Sequence, residues 1–477
     1  MAMKTILYAL LFFILTQAIV HAQPGIVWER TYFNSYYTTF YDVHETFDGG
    51  FIVAGNLTDF SSEDNEIVFR MDSDGNVLWM FGHEDWWGQS TRWIEELPDQ
   101  GFIATGGGTA YSGDDPYLHI LRLDADGNEI WTKIYDIDDV DVRGQCITLL
   151  PDGGFAVCGI ADPDTGMADG WILRTDSNGD TLWARSWGWD FYDRAMKVLY
   201  IDDGLSVLTN GRLEGDPGGT YIVRYDMDGN LLWENQIEDE MIGKYGWDMC
   251  YSSSDNGYTI VTRNGPFIAH TDSLGMFQWI VPGRGASNPL GYSINATMDQ
   301  GYIYAGQSRP DPEIPGTTYS GMIVKYDSEG NEMWWDYVYN SDCDGLFSAR
   351  QLSQGGYIAA GIANSLTTSR EGYLIRYEPE VGIEGGVGFP GTVQLGVLPN
   401  PFASSLSISF NLPEPAQIEL SIYDPSGRLV EDLVSGSLLA GEHNAIWNPD
   451  PILPSGCYLI VLDACGQRAV RRCVKLD

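Results

Sequence analysis

The chain of 477 residues carries 67 acidic and 26 basic side chains, a formal net charge of −41 and an isoelectric point near 4.2. That excess of negative charge disfavours phosphate backbones and anionic membranes as partners and fits cations or neutral polymers better. Seven cysteines are too few for a disulfide scaffold, and a chain of this length buries ample core without one.

Residues 1–22 read as a processing segment. Lys4 supplies a short positive region, Ile6 to Val20 is almost wholly apolar, and Val20-His21-Ala22 ends on a small residue before Gln23. This is the pattern of a secretory signal peptide, too short and wrongly flanked for a membrane anchor. No later stretch approaches the length of a membrane span, so the mature chain is expected outside the inner membrane without a transmembrane segment.

From residue 23 the chain repeats a phrase. DSDGNVLW at 72–79 recurs as DADGNEIW, DSNGDTLW, DMDGNLLW, DSLGMFQW and DSEGNEMW, so Trp79, Trp131, Trp183, Trp233, Trp279 and Trp334 return at intervals of about 50 residues. One unit, 144–183, contains four short runs rich in β-branched and aromatic residues separated by Gly/Asp turns, which predicts four antiparallel strands. A second marker, the glycine closing the first hairpin, occurs seven times, at Gly50, Gly101, Gly154, Gly204, Gly257, Gly301 and Gly356. The missing tryptophan is displaced to the front, where IVWERTY places Trp28 one period before Trp79. The expected fold is all-β: a seven-bladed β-propeller over 23–380, its ring closed by the N-terminal strand.

The repeat sorts the loops. Turns between the first and second strands, and between the third and fourth, are short and alike. The others vary, and variable loops on a regular scaffold are where binding sits. Those segments are 33–41, 82–91, 136–143, 187–194, 239–247, 283–291 and 339–346, with 56–65, 107–116, 159–170, 211–220 and 307–320. They hold Asp85, Trp86 and Trp87; Trp187, Trp189 and Asp190; and Trp247. Arg92, Arg143, Arg194 and Arg350 fall near the start of the innermost strand of four units, facing the expected channel mouth. Flat aromatic faces flanked by acids and arginine fit a sugar- or peptide-binding surface, although tryptophans also pack between blades.

No cofactor is indicated. Asp72-Ser73-Asp74-Gly75-Asn76 looks like a calcium loop, but its glycine stands fourth rather than sixth; a hairpin turn accounts for the acids, leaving room for a structural calcium without requiring one. Glu84 with Asp85, or Asp190 with Asp193, are candidate paired carboxylates, whereas HExxH, GxSxG, P-loop, CxxC and Rossmann patterns are absent, so an enzyme is the lesser expectation. Cys146 and Cys158 face each other across the turn at 151–153, and Cys457 and Cys473 share the last hairpin; both pairs are candidate disulfides.

After Glu380 the texture changes. A Gly-rich linker at 381–394 leads into alternating runs at 406–412, 416–424, 427–433, 443–447, 456–463 and 468–476, the pattern of a small immunoglobulin-like β-sandwich over 395–477. Leu398-Pro399-Asn400-Pro401-Phe402, Ile422-Tyr423-Asp424 with Gly427-Arg428, and Pro454-Ser455-Gly456-Cys457-Tyr458 together resemble the C-terminal sorting domain of proteins exported by the type IX secretion system, with Leu398 where tyrosine is usual. The resemblance implies export across the outer membrane by that machinery, then release or surface attachment. The expected protein is therefore a secreted or cell-surface propeller that binds an extracellular polymer or protein, with an extracellular polysaccharide hydrolase or lyase, or a purely structural surface protein, as the alternatives.

Overall fold

The computed structural model describes residues 23–475 apart from the loops 33–36, 59–63, 84–86, 110–115, 136–140, 163–168, 188–192, 212–218, 238–244, 264–266, 285–286, 310–318, 339–342, 365–369 and 381–393 and short stretches beyond 398. Residues 1–22, read as a signal peptide, lie outside it. Among the described residues no helix is long and apolar enough to cross a membrane.

Seven antiparallel sheets of four strands follow one another along the chain. In sheet 1 the strands run Tyr37–Glu45, Phe51–Thr58, Asp64–Met71 and Val77–Phe81, and hairpins join them in sequence order. Sheets 2 to 6 repeat the pattern, with first strands Trp87–Glu96, Asp141–Leu149, Arg194–Ile201, Gly246–Ser252 and Ser287–Ala296. Sheet 7 takes Cys343–Gln351, Tyr357–Asn364 and Arg370–Tyr377 from the end of the repeat region and Ile26–Tyr32 from its beginning. Trp28 pairs with Arg376 and Tyr32 with Gly372 in that junction, as the displaced tryptophan predicts.

The repeated turn is explained by its own hydrogen bonds. Asp72 accepts from the backbone N–H of Asp74 at 3.0 Å and of Asn76 at 2.8 Å, and from the Asn76 side chain at 2.8 Å, while Gly75 takes a φ of +78°. The tryptophans of the first five phrases then pack on the turn of the following sheet, whereas Trp334 packs on Tyr357 and Tyr377 of sheet 7, which has no such turn. Trp79 donates to the Ala125 carbonyl at 3.2 Å and its ring lies over Gly127; Trp183 donates to the Met227 carbonyl at 3.0 Å and lies over Gly229. These tryptophans join neighbouring sheets.

A second repeated device escaped the sequence reading. A basic residue on the third strand reaches the first hairpin of its own sheet: Arg70 to Asp48, Arg122 to Asp99, Arg174 to Asp152, Lys325 to Asp299, and His270 to Asp255. Arg70 and Arg122 also donate to a carbonyl of the adjoining second strand, Phe51 and Phe102, and to one at the end of their own strand, Met71 and Leu123, so each buried guanidinium ties a hairpin to its sheet.

Sheet 7 packs directly on sheet 1. Phe40, Val53 and Phe69 share a core with Leu352, Ile358 and Leu374, and the buried Ser348 donates to Asp42 at 3.1 Å. The C-terminal region forms two further sheets. One orders Gln394–Leu398, Leu406–Leu412 and Gly441–Trp447; the other orders Leu429–Leu438, Ala416–Tyr423, Gly456–Ala464 and Gln467–Lys475. They share a core around Trp447, Phe402, Tyr458 and Leu420. Gln394–Leu398 is a strand that the alternation did not predict.

The expected Cys146–Cys158 disulfide is not formed. Cys146 and Cys158 are register partners as expected, yet both thiols are free; Cys146 turns its sulfur toward the Val198 carbonyl of the next sheet, 3.7 Å away. Burial pushes the Cys146 thiol up to about 12. In the last hairpin the register partner of Cys473 is Tyr458 rather than Cys457, whose side chain lies outside the described residues; one register step puts a residue on the other face of a sheet.

Candidate functional site

The first strand of every one of the seven sheets carries a β-bulge, always at the same place. Pairing skips one residue between Phe40 and Asp42, Thr91 and Trp93, Gly144 and Cys146, Ala195 and Lys197, Gly246 and Asp248, Gly291 and Ser293, and Leu346 and Ser348. The seven extra residues are Tyr41, Arg92, Gln145, Met196, Trp247, Tyr292 and Phe347. A bulge bends the strand and re-aims its extra side chain, and all seven line a single cavity of about 640 Å³.

The partner strand makes room for the bulge by using glycine. A Cβ at Gly106 would sit 1.9 Å from the Ser90 carbonyl oxygen, and one at Gly361 would sit 2.0 Å from that of Gly345. Neither position has positive φ, so the requirement is close backbone approach rather than a left-handed turn.

One side of the cavity is aromatic. Trp247 and Tyr292 meet edge-to-face at 6.2 Å, as do Tyr292 and Phe347 at 4.7 Å, while Phe347 and Tyr41 lie tilted at 5.9 Å, an unbroken arc contributed by sheets 5, 6, 7 and 1. Arginines flank it. Arg92 stacks 4.1 Å over Tyr41, and Arg263 stacks 4.2 Å over Trp247. Burial raises the Tyr292 phenol although Arg263 beside it pulls the other way. Arg143, Arg194 and Arg370 complete the basic lining, with Arg143 and Arg370 exposed.

Beneath the bulge residues lies a charged floor. Asp42 ties three sheets together: it accepts from the Ile94 N–H at 3.3 Å and from Ser348, and it pairs with His44 at 2.9 Å and Arg350 at 3.3 Å. Burial alone would raise the Asp42 pKa; His44, Arg350 and Lys197 outweigh it and hold the carboxyl below the usual carboxylate range. Asp248 repeats the arrangement, pairing with Lys197 at 3.1 Å and accepting from the N–H groups of Met249 and Ile294 at 2.9 Å. Burial tends to lower Lys197, and Asp248 more than offsets it. Trp93 covers this layer, with the Lys197 ammonium 3.5 Å and the Arg350 guanidinium 5.0 Å from its ring.

Of the residues singled out from sequence, Arg92, Arg143, Arg194 and Trp247 line the cavity. Arg350 does not; it lies three residues past the bulge, in the floor, held by Asp42, the Val43 carbonyl and Asn295. Trp187 belongs to the outer strand of sheet 3, where it packs on Tyr225 and donates to Thr209 at 3.0 Å, a sheet-to-sheet contact rather than a cavity wall. Trp87 begins the first strand of sheet 2, paired with Thr109. Asp85, Trp86, Trp189 and Asp190 lie outside the described residues, as does Glu84. The sequence reading missed Tyr41, Arg263, Tyr292 and Phe347; period counting from Trp247 finds three of them, since Tyr41, Tyr292 and Phe347 occupy its position in other repeats.

One further cluster is buried away from the cavity. Glu66, fully buried, takes His119 at 2.7 Å and Thr91 at 3.0 Å and also bonds His83, whose other nitrogen meets Glu129 at 3.0 Å. Burial would raise Glu66, and the two histidines overcome it and depress it. Burial would lower His83, and Glu66 and Glu129 raise it instead.

No curated protein matches the chain. Among solved structures the chain is similar to BBS1N in complex with ARL6DN, soaked with lead, at 10% identity and a TM-score of 0.42, over 76% of this chain and 99% of that one. It is similar to Hsv2 of Kluyveromyces lactis at 10% identity and a TM-score of 0.41, over 70% of this chain and 96% of that one. A GH43_1 enzyme from Xanthomonas citri follows at 12% identity and a TM-score of 0.33, over 65% and 93%. Likenesses this distant transfer no activity. The C-terminal region is different: residues 396–475 match the family described as Secretion system C-terminal sorting domain, so a type IX sorting domain is present at this end of the chain.

Proposed function

We propose that this is a secreted or cell-surface protein whose repeat region, 23–380, is a closed seven-bladed β-propeller that binds an extracellular polymer or protein in the bulge-lined cavity. A linker at 381–394 and an immunoglobulin-like sorting sandwich at 395–477 follow, and residues 1–22 are removed as a signal peptide. Closure is supported by the pairing of Ile26–Tyr32 with Arg370–Tyr377 and by the shared core of sheets 7 and 1. The observation that carries the binding reading is the convergence of seven bulge residues, one per sheet, on one cavity. A bulge repeated seven times at one register costs seven sets of ladder hydrogen bonds, which a scaffold alone has no need to spend. Binding is favoured over hydrolysis because the lining acids, Asp42 and Asp248, are each tied to a cation and to backbone donors, an arrangement that suits holding a shape and not donating a proton.

The test is a glycan and peptide array probed with residues 23–477, repeated with Trp247→Ala and Phe347→Ala and with Leu182→Ala, an exposed residue away from the cavity. Loss of a ligand with both cavity variants and retention with Leu182→Ala is expected. Retention with both cavity variants removes the cavity from the account.

A further inference from the structure

We propose that the cavity ligand is an anionic glycan, a saccharide bearing carboxylate or sulfate groups. This rests on the reading of the cavity as the binding site and adds the chemistry of its ligand.

The sign of the lining is opposite to that of the chain. In a protein with net charge −41, the cavity presents Arg92, Arg143, Arg194, Arg263 and Arg370 against two acids, Asp42 and Asp248. Both acids are spoken for: Arg350 and His44 hold Asp42, and Lys197 holds Asp248. The floor is therefore near neutral by itself, and among the described residues Arg92, Arg143, Arg263 and Arg370 are surplus positive charge. Among the described residues no carboxylate lies within ion-pairing distance of Arg92, Arg143, Arg263 or Arg370. Surplus charge of one sign along a cavity wall favours a ligand of the other sign.

The guanidinium geometry narrows the ligand. Arg92 and Arg263 are held by their faces, stacked on Tyr41 and Trp247, and Arg263 also hydrogen-bonds Tyr292; this turns the edges of the guanidinium groups, which carry their N–H donors, toward a planar or tetrahedral oxyanion. The stacking orients the donors before a ligand arrives, so little side-chain entropy remains to be lost on binding.

The aromatic arc selects a sugar over a bare anion. Trp247, Tyr292, Phe347 and Tyr41 are half-buried and continuous around one side, offering apolar faces to the C–H faces of pyranose rings. An inorganic anion would leave that arc wet and unused. A cavity of about 640 Å³ enclosed by all seven sheets holds a short oligosaccharide segment and does not admit a folded protein surface. A uronate or sulfated sugar carries both an apolar ring face for the arc and an anionic substituent for the flanking arginines.

The experiment titrates the chain 23–477 by calorimetry with an oligogalacturonate, a sulfated oligogalactan and a neutral oligogalactan of equal length, and with a poly-glutamate peptide, each at low and high salt. The expected result is binding of at least one charged glycan, weakened by salt, with the neutral glycan about tenfold weaker or more. Arg92→Gln and Arg263→Gln are each expected to weaken the charged glycan about tenfold, while Lys133→Gln on the outer strand of sheet 2 changes nothing. Circular dichroism and thermal unfolding of each variant confirm an intact fold, and the salt dependence of the unaltered chain needs no variant. Equal affinity for the neutral glycan, lost with Trp247→Ala but not with Arg92→Gln, overturns the anionic class and leaves the cavity as the site. Binding of poly-glutamate alone overturns the glycan. Charged-glycan binding that Trp247→Ala, Arg92→Gln and Arg263→Gln all leave intact places the site elsewhere and overturns both readings.

Discussion

The Trp28 indole lies on the turn glycine of the neighbouring sheet: a Cβ at Gly75 would meet the ring at 3.0 Å, and the indole N–H donates to the Ser73 carbonyl at 3.3 Å. Trp28 comes from the first strand of the chain and Gly75 from the first DxDG turn, yet the contact is the same as that of Trp79 on Gly127 or Trp183 on Gly229. The N-terminal strand therefore does for sheet 7 what the fourth strand does for the other six. Trp28→Ala is expected to destabilise the chain by about 2 kcal/mol, less than a fully buried tryptophan because the ring is half-exposed. Urea unfolding should show a single transition with a loss matching that of Trp79→Ala; a separate early transition for Trp28→Ala would show that the N-terminal strand is not integral.

Gly106→Ala should be far more damaging than its size implies. The new methyl would meet a backbone oxygen in the bulge of the neighbouring strand, where no flexible side chain is available to give way. A loss of about 3 kcal/mol or more is expected, read as a fall in the urea midpoint. By contrast, Gly436→Ala meets no atom within 4 Å, and its cost is confined to the positive φ of +147°.

The Arg70 clamp has a sharp signature. Arg70→Met removes the pairing with Asp48 and the donors to the Phe51 and Met71 carbonyls while keeping the apolar stem. Losing these buried donors should cost about 3 kcal/mol, whereas Asp48→Asn, at an exposed position, should cost under about 1 kcal/mol. Thermal unfolding of the two variants checks the asymmetry.

The Glu66 cluster gives stability a pH dependence with a determinable sign. Glu66 is depressed from a reference of 4.5, so its contribution is present above that value and is lost as pH falls toward the folded pKa. His83 is raised from 6.5, so its contribution is complete below that value and is lost as pH rises through the folded pKa. The cluster therefore stabilises most between those two references. Glu66→Gln should lower the melting temperature most in that window, less at alkaline pH, where the His83 share is gone, and least as pH falls toward the folded pKa of Glu66; a uniform drop across pH would contradict the assignment.

Thiol chemistry checks the cysteines. Cys146, Cys158 and Cys250 are buried and free. In the folded chain they should resist alkylation, and in denaturant without reductant all three should be alkylated, which mass spectrometry of the peptides that carry them reads directly. Protection of Cys146 and Cys158 under denaturing, non-reducing conditions would show a bond between them.

Much of the scaffold could be read from one phrase, because a turn that needs Asp at its start and Gly at positive φ leaves the same letters in every repeat. Trp28 was assigned to the last sheet because it stands one period ahead of the run. The site was legible by segment and only partly by residue. Arg143 and Arg194 stand two residues before Gln145 and Met196, near enough to reach the cavity, whereas Arg350 stands three residues after Phe347 and turns into the floor. A bulge shifts register by one residue without changing composition, so alternation cannot reveal which side of the shift a side chain occupies. Arg263 was missed because its short loop did not stand out as variable, and Glu66 with His119 because the pair joins strands of two sheets.

Hydrogen–deuterium exchange tests the central claim most directly, comparing residues 23–477 alone with the same chain saturated with the tightest-binding charged oligosaccharide. The account predicts slowed exchange in the bulge segments of the first strands of several sheets at once, around Tyr41, Arg92, Trp247, Tyr292 and Phe347. Protection confined to residues 396–475, or to the DxDG turns around Gly75 and Gly127, would contradict it.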